Sequence, residues 1–246
     1  MYIYEKKIGE TPLAALNRFR KENSIAPDIR LSYAGRLDPM ASGKLLILEG
    51  EENDRRENYL RLDKTYEFYI LFGVSTDTFD LLGMVDDFDT APTLTKKDVE
   101  KTLRSFVGTS RMIYPSYSAK TVAYKGDMVP LWQLAKEGKI DEVTLPEKKV
   151  EVYKALCMDL ELVNQDYIYN YINNYIKKVS GDFRQQEILE RWKSVLLQQE
   201  GEFPLARCSV SGSSGLYVRR LAHEVGRELG IPSLAFSIRR TKIGDQ

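Results

Sequence analysis

The chain has 246 residues, 43% hydrophobic and 29% charged, enough for one large domain or two small ones around a sizeable core. No stretch reaches the ~20 consecutive apolar residues of a membrane helix, and Met1-Tyr2-Ile3-Tyr4-Glu5-Lys6-Lys7 lacks the apolar run of a secretory signal, so a cytoplasmic location is expected and no membrane partner. Lys and Arg number 36, as do Asp and Glu; with no net charge, attraction to a polyanion has to come from local asymmetry rather than a bulk basic excess.

In chain order, Tyr2 to Lys7 reads as a short strand, and Thr11 followed by Pro12 as the cap and first turn of a helix with Leu13, Leu16 and Phe19 on or near one face. Tyr66, Phe68, Ile70 and Phe72 alternate with Thr65, Glu67, Tyr69 and Leu71, which predicts a strand buried on both faces and ended by Gly73. Thr95 caps a predicted helix with the stripe Val99, Leu103, Phe106 and Val107, stopped at Gly108. Pro130 to Lys136 is a short helix ended near Gly138. Val150 to Val163 and Leu205 to Val210 are predicted to be partner strands.

Between those two strands the period changes. Over 166–199, Ile168, Ile172 and Ile176 recur every fourth residue, Gly181-Asp182 breaks the pattern, and Ile188, Leu189, Trp192, Val195 and Leu196 form a second stripe. This predicts a helical hairpin inserted into a strand connection. It is either a packing layer over the sheet or, given Tyr175-Ile176-Lys177-Lys178, an arm that contacts a partner. Leu216 to Leu229 is the last long helix, with Leu221, Ala222, Val225 and Leu229 inward, stopped by Gly230 and Pro232. Mixed strands and helices without βαβ regularity indicate an α+β fold.

Cys157 and Cys208 are read as free, buried thiols. With His223 as the sole histidine they have no metal-ligand spacing, and neither a metal nor an organic cofactor is expected. His223 is read as a surface or helix-packing residue. From Arg207 onward, Arg207, Arg219, Arg220, Arg227, Arg239, Arg240 and Lys242 outweigh Glu224, Glu228 and Asp245, a local basic asymmetry.

The most informative stretch is Ser32-Tyr33-Ala34-Gly35-Arg36-Leu37-Asp38-Pro39-Met40-Ala41-Ser42-Gly43. Pro39 pushes Asp38 towards an extended conformation, and Gly35 and Gly43 permit tight bends on either side. A carboxylate fixed on such a loop is a nucleophile, a general base, a metal ligand or simply a turn-former.

Gly-Arg-Leu-Asp-Pro-Met-Ala-Ser-Gly resembles the catalytic motif of TruB-type pseudouridine synthases, Gly-x-Leu-Asp-Pro-x-Ala-[Thr/Ser]-Gly. Further blocks match in order: Lys64-Thr65-Tyr66 resembles the family's Lys-x-Tyr, Thr76-Asp77-Thr78-Phe79-Asp80-Leu81-Leu82-Gly83 its Thr-Asp-Thr-x-Asp-x-x-Gly, and Gly215-Leu216-Tyr217-Val218-Arg219 its Gly-Thr-Tyr-Ile-Arg. Pro115-Ser116-Tyr117-Ser118-Ala119 with Tyr124-Lys125-Gly126 is a weaker fifth match. The resemblance runs to about Arg240 and is interrupted by 166–199. It implies a pseudouridine synthase fold, with a central, mostly antiparallel mixed sheet flanked by helices and crossed by a cleft. It also implies one catalytic domain over 1–246, with the C-terminal RNA-binding domain of the PUA type, which many bacterial relatives add, absent.

The resemblance assigns roles residue by residue. Asp38 is the expected nucleophile, acting on the ribose of a uridine; attack at C1′ and abstraction of a ribose proton both remain open. Arg219 is its partner, a guanidinium holding the carboxylate in a two-pronged geometry; Tyr66 stacks on the target uracil. Tyr33, Arg36, Lys64, Tyr217, Ile238, Arg239 and Arg240 make up the expected substrate-binding set. Within it Tyr217 and Ile238 line the pocket, and Lys64, Arg239 and Arg240 contact phosphate. Ile238 stands nineteen residues after Arg219, as in the family. Tyr33 occupies the place of the histidine in the family's Gly-His-x-Gly, so it can stack but lacks the imidazole's hydrogen bonds. The substrate implied is the T-loop uridine of tRNA, bound through the T-arm and extruded from its stack, with no obligate protein partner.

Two other classes remain open at this level. One is an RNA-binding helper of tRNA folding whose catalysis is dispensable. The other is a glycoside or nucleoside hydrolase, which needs paired carboxylates; Asp77 and Asp80 read as turn-formers rather than as the second acid.

Overall fold

The computed structural model describes residues 1–89, 92–198 and 201–245. Gln199, the end of the expected insertion, and Gln246 lie outside the described residues. The chain opens with β1 (Tyr2–Lys6) and α1 (Pro12–Glu22), whose cap is Thr11, accepting from the Ala14 N–H at 3.1 Å. Then come β2 (Leu31–Ala34), the Asp38 loop, β3 (Ala41–Glu49), a 3₁₀ turn, α2 (Arg56–Leu60) and β4 (Lys64–Phe72). The small pair β5 (Val74–Thr76) and β6 (Val85–Phe88) leads to α3 (Lys96–Ser105), which Thr95 and Asp98 start with a reciprocal capping box. β7 (Gly108–Ile113), the hairpin β8 (Thr121–Tyr124) with β9 (Asp127–Pro130), and α4 (Leu131–Lys136) follow. The long β10 (Glu147–Asn164) runs into the hairpin α5 (Gln165–Ile176) and α6 (Gln185–Leu196), and the chain closes with β11 (Glu202–Gly212), α7 (Val218–Leu229) and β12 (Ser233–Ile243).

Among the described residues, the main sheet has eight strands in the order β1-β3-β12-β4-β11-β10-β7, with β2 also on β3. All its ladders are antiparallel except β12 with β3, where Ile238 to Arg240 pair with Ala41 to Gly43. That parallel pairing decides where the site forms. β2 takes Leu46 to Glu49 of β3 and β12 takes Ala41 to Gly43, so the loop joining β2 to β3 is delivered beside β12. Gly43 is obligatory at this junction: its φ is +104°, and a Cβ there would lie 2.3 Å from the Arg240 carbonyl oxygen.

Both faces of the sheet carry a packed layer, although the second stays open around Glu67 of β4, whose side chain is 43% accessible, so the expected burial of β4 on both faces holds only towards Leu71. β4 shows why: Phe68, Ile70 and Phe72 enter a core with Val99 and Leu103 of α3 and Leu221 and Val225 of α7. Leu71 enters a second core with Ile168, Ile172 and Ile176 of α5 and Ile188, Trp192 and Val195 of α6. The expected alternation in β4, the partnership of β10 with β11 and the inserted hairpin are therefore all present. The hairpin's stripes form a packing layer on the face opposite α3 and α7.

Two expected stripe positions differ. Leu13 is exposed, and the buried face of α1 is Pro12, Ala15, Leu16 and Phe19. Val107 is exposed because α3 already ends at Ser105. Cys157 and Cys208 face each other across β10 and β11 as free, buried thiols. Among the described residues no helix is long and apolar enough to cross a membrane.

Trp192 is fully buried beneath the hairpin. Trp192→Ala should destabilise the fold by about 3–5 kcal/mol in denaturant titrations; a loss below about 1 kcal/mol would mean that the hairpin stands off the sheet as an independent arm.

Candidate active site

A cleft of about 830 Å³ opens where the Asp38 loop, the Thr76–Asp80 turn, the segment around Tyr117 and the start of α7 converge. This volume lies within the about 300–1,000 Å³ usual for small-molecule sites. At its centre Arg219, 3% exposed, commits every arm of its guanidinium. Nε donates to Asp38 Oδ2 at 2.7 Å, Nη1 to the Thr78 carbonyl at 2.6 Å and Nη2 to the Tyr117 carbonyl at 3.2 Å. The contact with Asp38 is single, not the two-pronged grip expected, because both terminal nitrogens are taken by backbone. Burial alone would lower the Arg219 pKa, but the charges of Asp38 and Asp80 raise it.

Asp38 differs from its partner in exposure: its side chain is 41% accessible against 4% for Arg219. The carboxylate thus faces the cleft while the guanidinium lies behind it. The loop carrying Asp38 is braced from below. Arg240, 1% exposed, donates to the carbonyls of Lys44 (2.7 Å), Arg36 (3.3 Å) and Gly35 (3.0 Å). Lys6, fully buried, donates from Nζ to the carbonyls of Ala41 (2.5 Å), Lys7 (3.1 Å) and Pro39 (3.3 Å). Burial lowers the Lys6 ammonium to about 8, against the opposing pull of Asp38.

Asp80 supplies a second acid that the sequence reading treats as a turn-former. It does shape the turn, since Oδ1 accepts from Thr78 Oγ1 at 2.8 Å and from the Leu82 N–H at 2.9 Å. Its other oxygen, however, lies 3.6 Å from Arg219 Nε. Burial pushes this carboxyl up to about 6; Arg219 pulls it down and Asp38 pushes it up. The Thr-Asp-Thr-x-Asp match was the available signal, but burial beside Arg219 is a tertiary fact. Asp77, the other presumed turn-former, accepts from the Met84 N–H and from Arg184 at 2.9 Å each.

Of the expected residues, Arg36, Asp38, Lys64, Tyr66, Tyr217, Arg219, Ile238 and Arg240 all border the cleft. Tyr66 and Ile238 are each 8% exposed, on the neighbouring strands β4 and β12. The Tyr217 ring meets Tyr114 edge-on at 5.3 Å between centroids; burial, then the Asp38 charge, raises its hydroxyl pKa. Two residues fall outside the cleft. Tyr33 packs with Leu16, Phe19 and Ile47 beneath α1. Arg239 points to the opposite side of β12 from Ile238 and Arg240, as strand alternation requires, and pairs with Glu5 at 2.7 Å.

Two expected phosphate contacts have other occupations. Arg240 spends its donors on the loop carbonyls described above. Lys64 is 7% exposed and donates to the carbonyls of Leu60 and Leu62; burial, with Arg240 and Lys148 nearby, lowers it to about 8. The exposed cations bordering the cleft are instead Arg36, Arg61 and Lys136. His223 stacks on Phe79 at 4.1 Å, which makes it a helix-packing residue. Among the described residues, no group of three or more His, Cys, Asp or Glu side chains is arranged to hold a metal ion.

Chemically, the site presents one accessible carboxylate paired with a buried cation, with apolar and aromatic walls beside it. That suits attack on, or proton removal from, a sugar carbon whose attached flat, uncharged ring packs on those walls.

Residues 23–183 match the family model described as "TruB family pseudouridylate synthase (N terminal domain)". The chain is 28% identical over 216 residues to tRNA pseudouridine synthase B of Caldanaerobacter subterraneus subsp. tengcongensis, covering 88% of this chain and 60% of that protein. It is 26% identical over 248 residues to the protein of the same name from Chloroherpeton thalassium, covering 99% and 82%. Among solved structures, a chain of a Cbf5-Nop10-Gar1 complex superposes with a TM-score of 0.54 at 17% identity over 98% of this chain and 48% of that one, a likeness of fold. With the family match extending over more than half of its length, the chain belongs to the TruB family of pseudouridylate synthases.

Proposed function

We propose that this protein isomerises a uridine to pseudouridine in RNA, with the T-loop uridine of tRNA as its substrate. Asp38 serves as the nucleophile. The observation that carries the reading is the 2.7 Å contact between an accessible carboxylate and a buried guanidinium inside a cleft of nucleoside dimensions. The reaction breaks the bond from ribose C1′ to uracil N1 and forms one from C1′ to C5; the C5 proton leaves and N1 gains a proton, so substrate and product are isomers and no oxidant or reductant enters. Arg219 holds the Asp38 carboxylate in place through that contact. Tyr66 stacks on the uracil, and Tyr217 and Ile238 confine it while it turns.

A uridine paired or stacked in folded RNA must first be extruded, at a cost of a few kcal/mol. Phosphate contacts at the rim offset that cost, and Arg36 and Arg61 are exposed cations on the cleft wall that can make them. With no net charge on the chain, this attraction is local to the rim. A cytoplasmic location follows from the proposed substrate.

Unmodified tRNA incubated with the protein should acquire pseudouridine, read as a carbodiimide-dependent primer-extension stop. Asp38→Asn should lower the rate by about 10⁴-fold or more, the order expected when a nucleophile is deleted, while RNA affinity stays within about threefold because binding rests on other groups. Product formed by the variant at the wild-type rate would remove Asp38 from the mechanism. Faster tRNA folding without product would indicate a folding helper, and release of free uracil a hydrolase.

Asp80 adds a pH dependence to stability. Its carboxyl titrates near 6 in the fold, against 3.8 for an ordinary aspartate, so between those values the native state holds a proton that the unfolded chain has lost. Its contribution is therefore favourable below about pH 4 and disappears as pH rises through 6. The melting temperature of the wild type relative to Asp80→Asn should fall as pH is raised from 4 to 7. A constant difference across that range would show that Asp80 is ionised throughout.

A further inference from the structure

The inserted hairpin reaches the cleft at its tip. Between α5 and α6 the chain turns through Asp182, Phe183 and Arg184, all three on the cleft wall. The tip is held in place. Gln185 donates to the carbonyls of Val179 (2.9 Å) and Gly181 (2.7 Å) and accepts from the Phe183 N–H (3.0 Å), while Lys136 of α4 pairs with Asp182 at 2.5 Å. Arg184 has φ 61° and ψ 30°, the left-handed region, which strains any residue with a Cβ and persists only where its surroundings hold it.

Two partners hold Arg184. Its Nη1 donates to Asp77 Oδ2 at 2.9 Å, and its guanidinium carbon lies 4.7 Å over the Tyr117 ring. These partners stand on the two segments that present carbonyls to Arg219: Thr78, next to Asp77, at 2.6 Å, and Tyr117 itself at 3.2 Å. The guanidinium of Arg184 thus bridges the two backbone segments that aim the guanidinium of Arg219.

We infer that Arg184 is a positioning residue for the Asp38–Arg219 pair, clamping Asp77 to the Tyr117 ring so that the Thr78 and Tyr117 carbonyls hold Arg219 against Asp38. A direct RNA contact is disfavoured, because the side chain is 22% exposed and both of its recognition modes, ion pair and ring stacking, are already in use. The inference rests on the isomerase reading only for the activity half of its test.

Arg184→Gly removes the guanidinium and suits a φ of +61°, so it deletes the clamp without adding strain. Arg184→Lys keeps a charge for Asp77 but loses the planar face over Tyr117. Two readouts are taken: single-turnover pseudouridine formation alongside RNA affinity, and the NMR signal of the Arg219 Nε–H, assigned by its loss in Arg219→Lys. Arg184→Gly should slow turnover about 10- to 100-fold, the order by which small misplacements of catalytic groups act, with RNA affinity within about threefold. The Arg219 signal should shift and exchange faster with water, and Arg184→Lys should fall between Gly and wild type in both.

An unchanged rate with an unchanged Arg219 signal overturns the inference. So does a rate that falls only in step with RNA affinity while the signal stays put, which would make Arg184 an RNA contact. If the wild type forms no pseudouridine, the isomerase reading fails by itself and the Arg219 signal alone decides the role of Arg184.

Discussion

A guanidinium taken out of water must have all of its donors satisfied or it unfolds its own site. Arg219 is such a group, and the geometry of the cleft follows from satisfying it. Its position makes the demand stricter. It stands in the first turn of α7, where the helix dipole disfavours positive charge, and no acidic residue shares that turn. The compensation comes from elsewhere in the chain: a carboxylate on the β2–β3 loop, a second carboxylate and a carbonyl from the turn after β5, and a carbonyl from the segment after β7. Segments distant in sequence therefore have to meet at one side chain. Asp38 is the member left facing solvent, hence the one available to a ligand.

The same logic applies one layer down. The Asp38 loop turns too tightly to satisfy its own carbonyls through a ladder, and buried carbonyls need donors. Arg240 and Lys6 supply them from β12 and β1, the strands on either edge of β3. Two buried cations thus lie under a loop bearing one carboxylate. Near neutrality the arrangement keeps Asp38 surrounded by positive groups on the protein side and open on the other. Lys6 is fully buried, and that burial lowers its ammonium to about 8.

Local pattern made some of this legible and left the rest hidden. The alternation in β4, the fourfold spacing in α5 and the proline and glycines around Asp38 are properties of neighbouring residues, and each led to the right element. Asp80 closes a turn, as its sequence suggests, but a carboxylate that also faces a buried arginine has the same sequence; only burial separates them. Arg239 and Arg240 look equivalent in a basic doublet, yet the pleat of β12 sends one to Glu5 and the other under the loop. Strand alternation from Ile238 could have distinguished them. Tyr33 was placed by its position in a motif, whereas its packing is set by α1, which crosses the outer side of β2 and β3. Lys6 carried no signal at all, since nothing local marks a lysine that will be buried.

The insertion shows how a packing element becomes part of a site. The packing reading describes its stripes, since Ile168, Ile172, Ile176 and Trp192 are fully buried on the sheet, while the turn at 182–184 walls the cleft. The two ends are mechanically linked. The core beneath the hairpin also contains Met40 from the Asp38 loop and Leu81 and Leu82 from the stretch beginning just after Asp80. Because close-packed interiors transmit small displacements rather than absorb them, a shift of α5 or α6 on the sheet is felt both behind the Asp38 loop and at the tip in front of it. The hairpin therefore packs against the Asp38 loop from the core side, through Met40, and against the segments whose carbonyls hold Arg219 from the cleft side, through Arg184, so that both halves of the Asp38–Arg219 pair are in mechanical contact with the insertion.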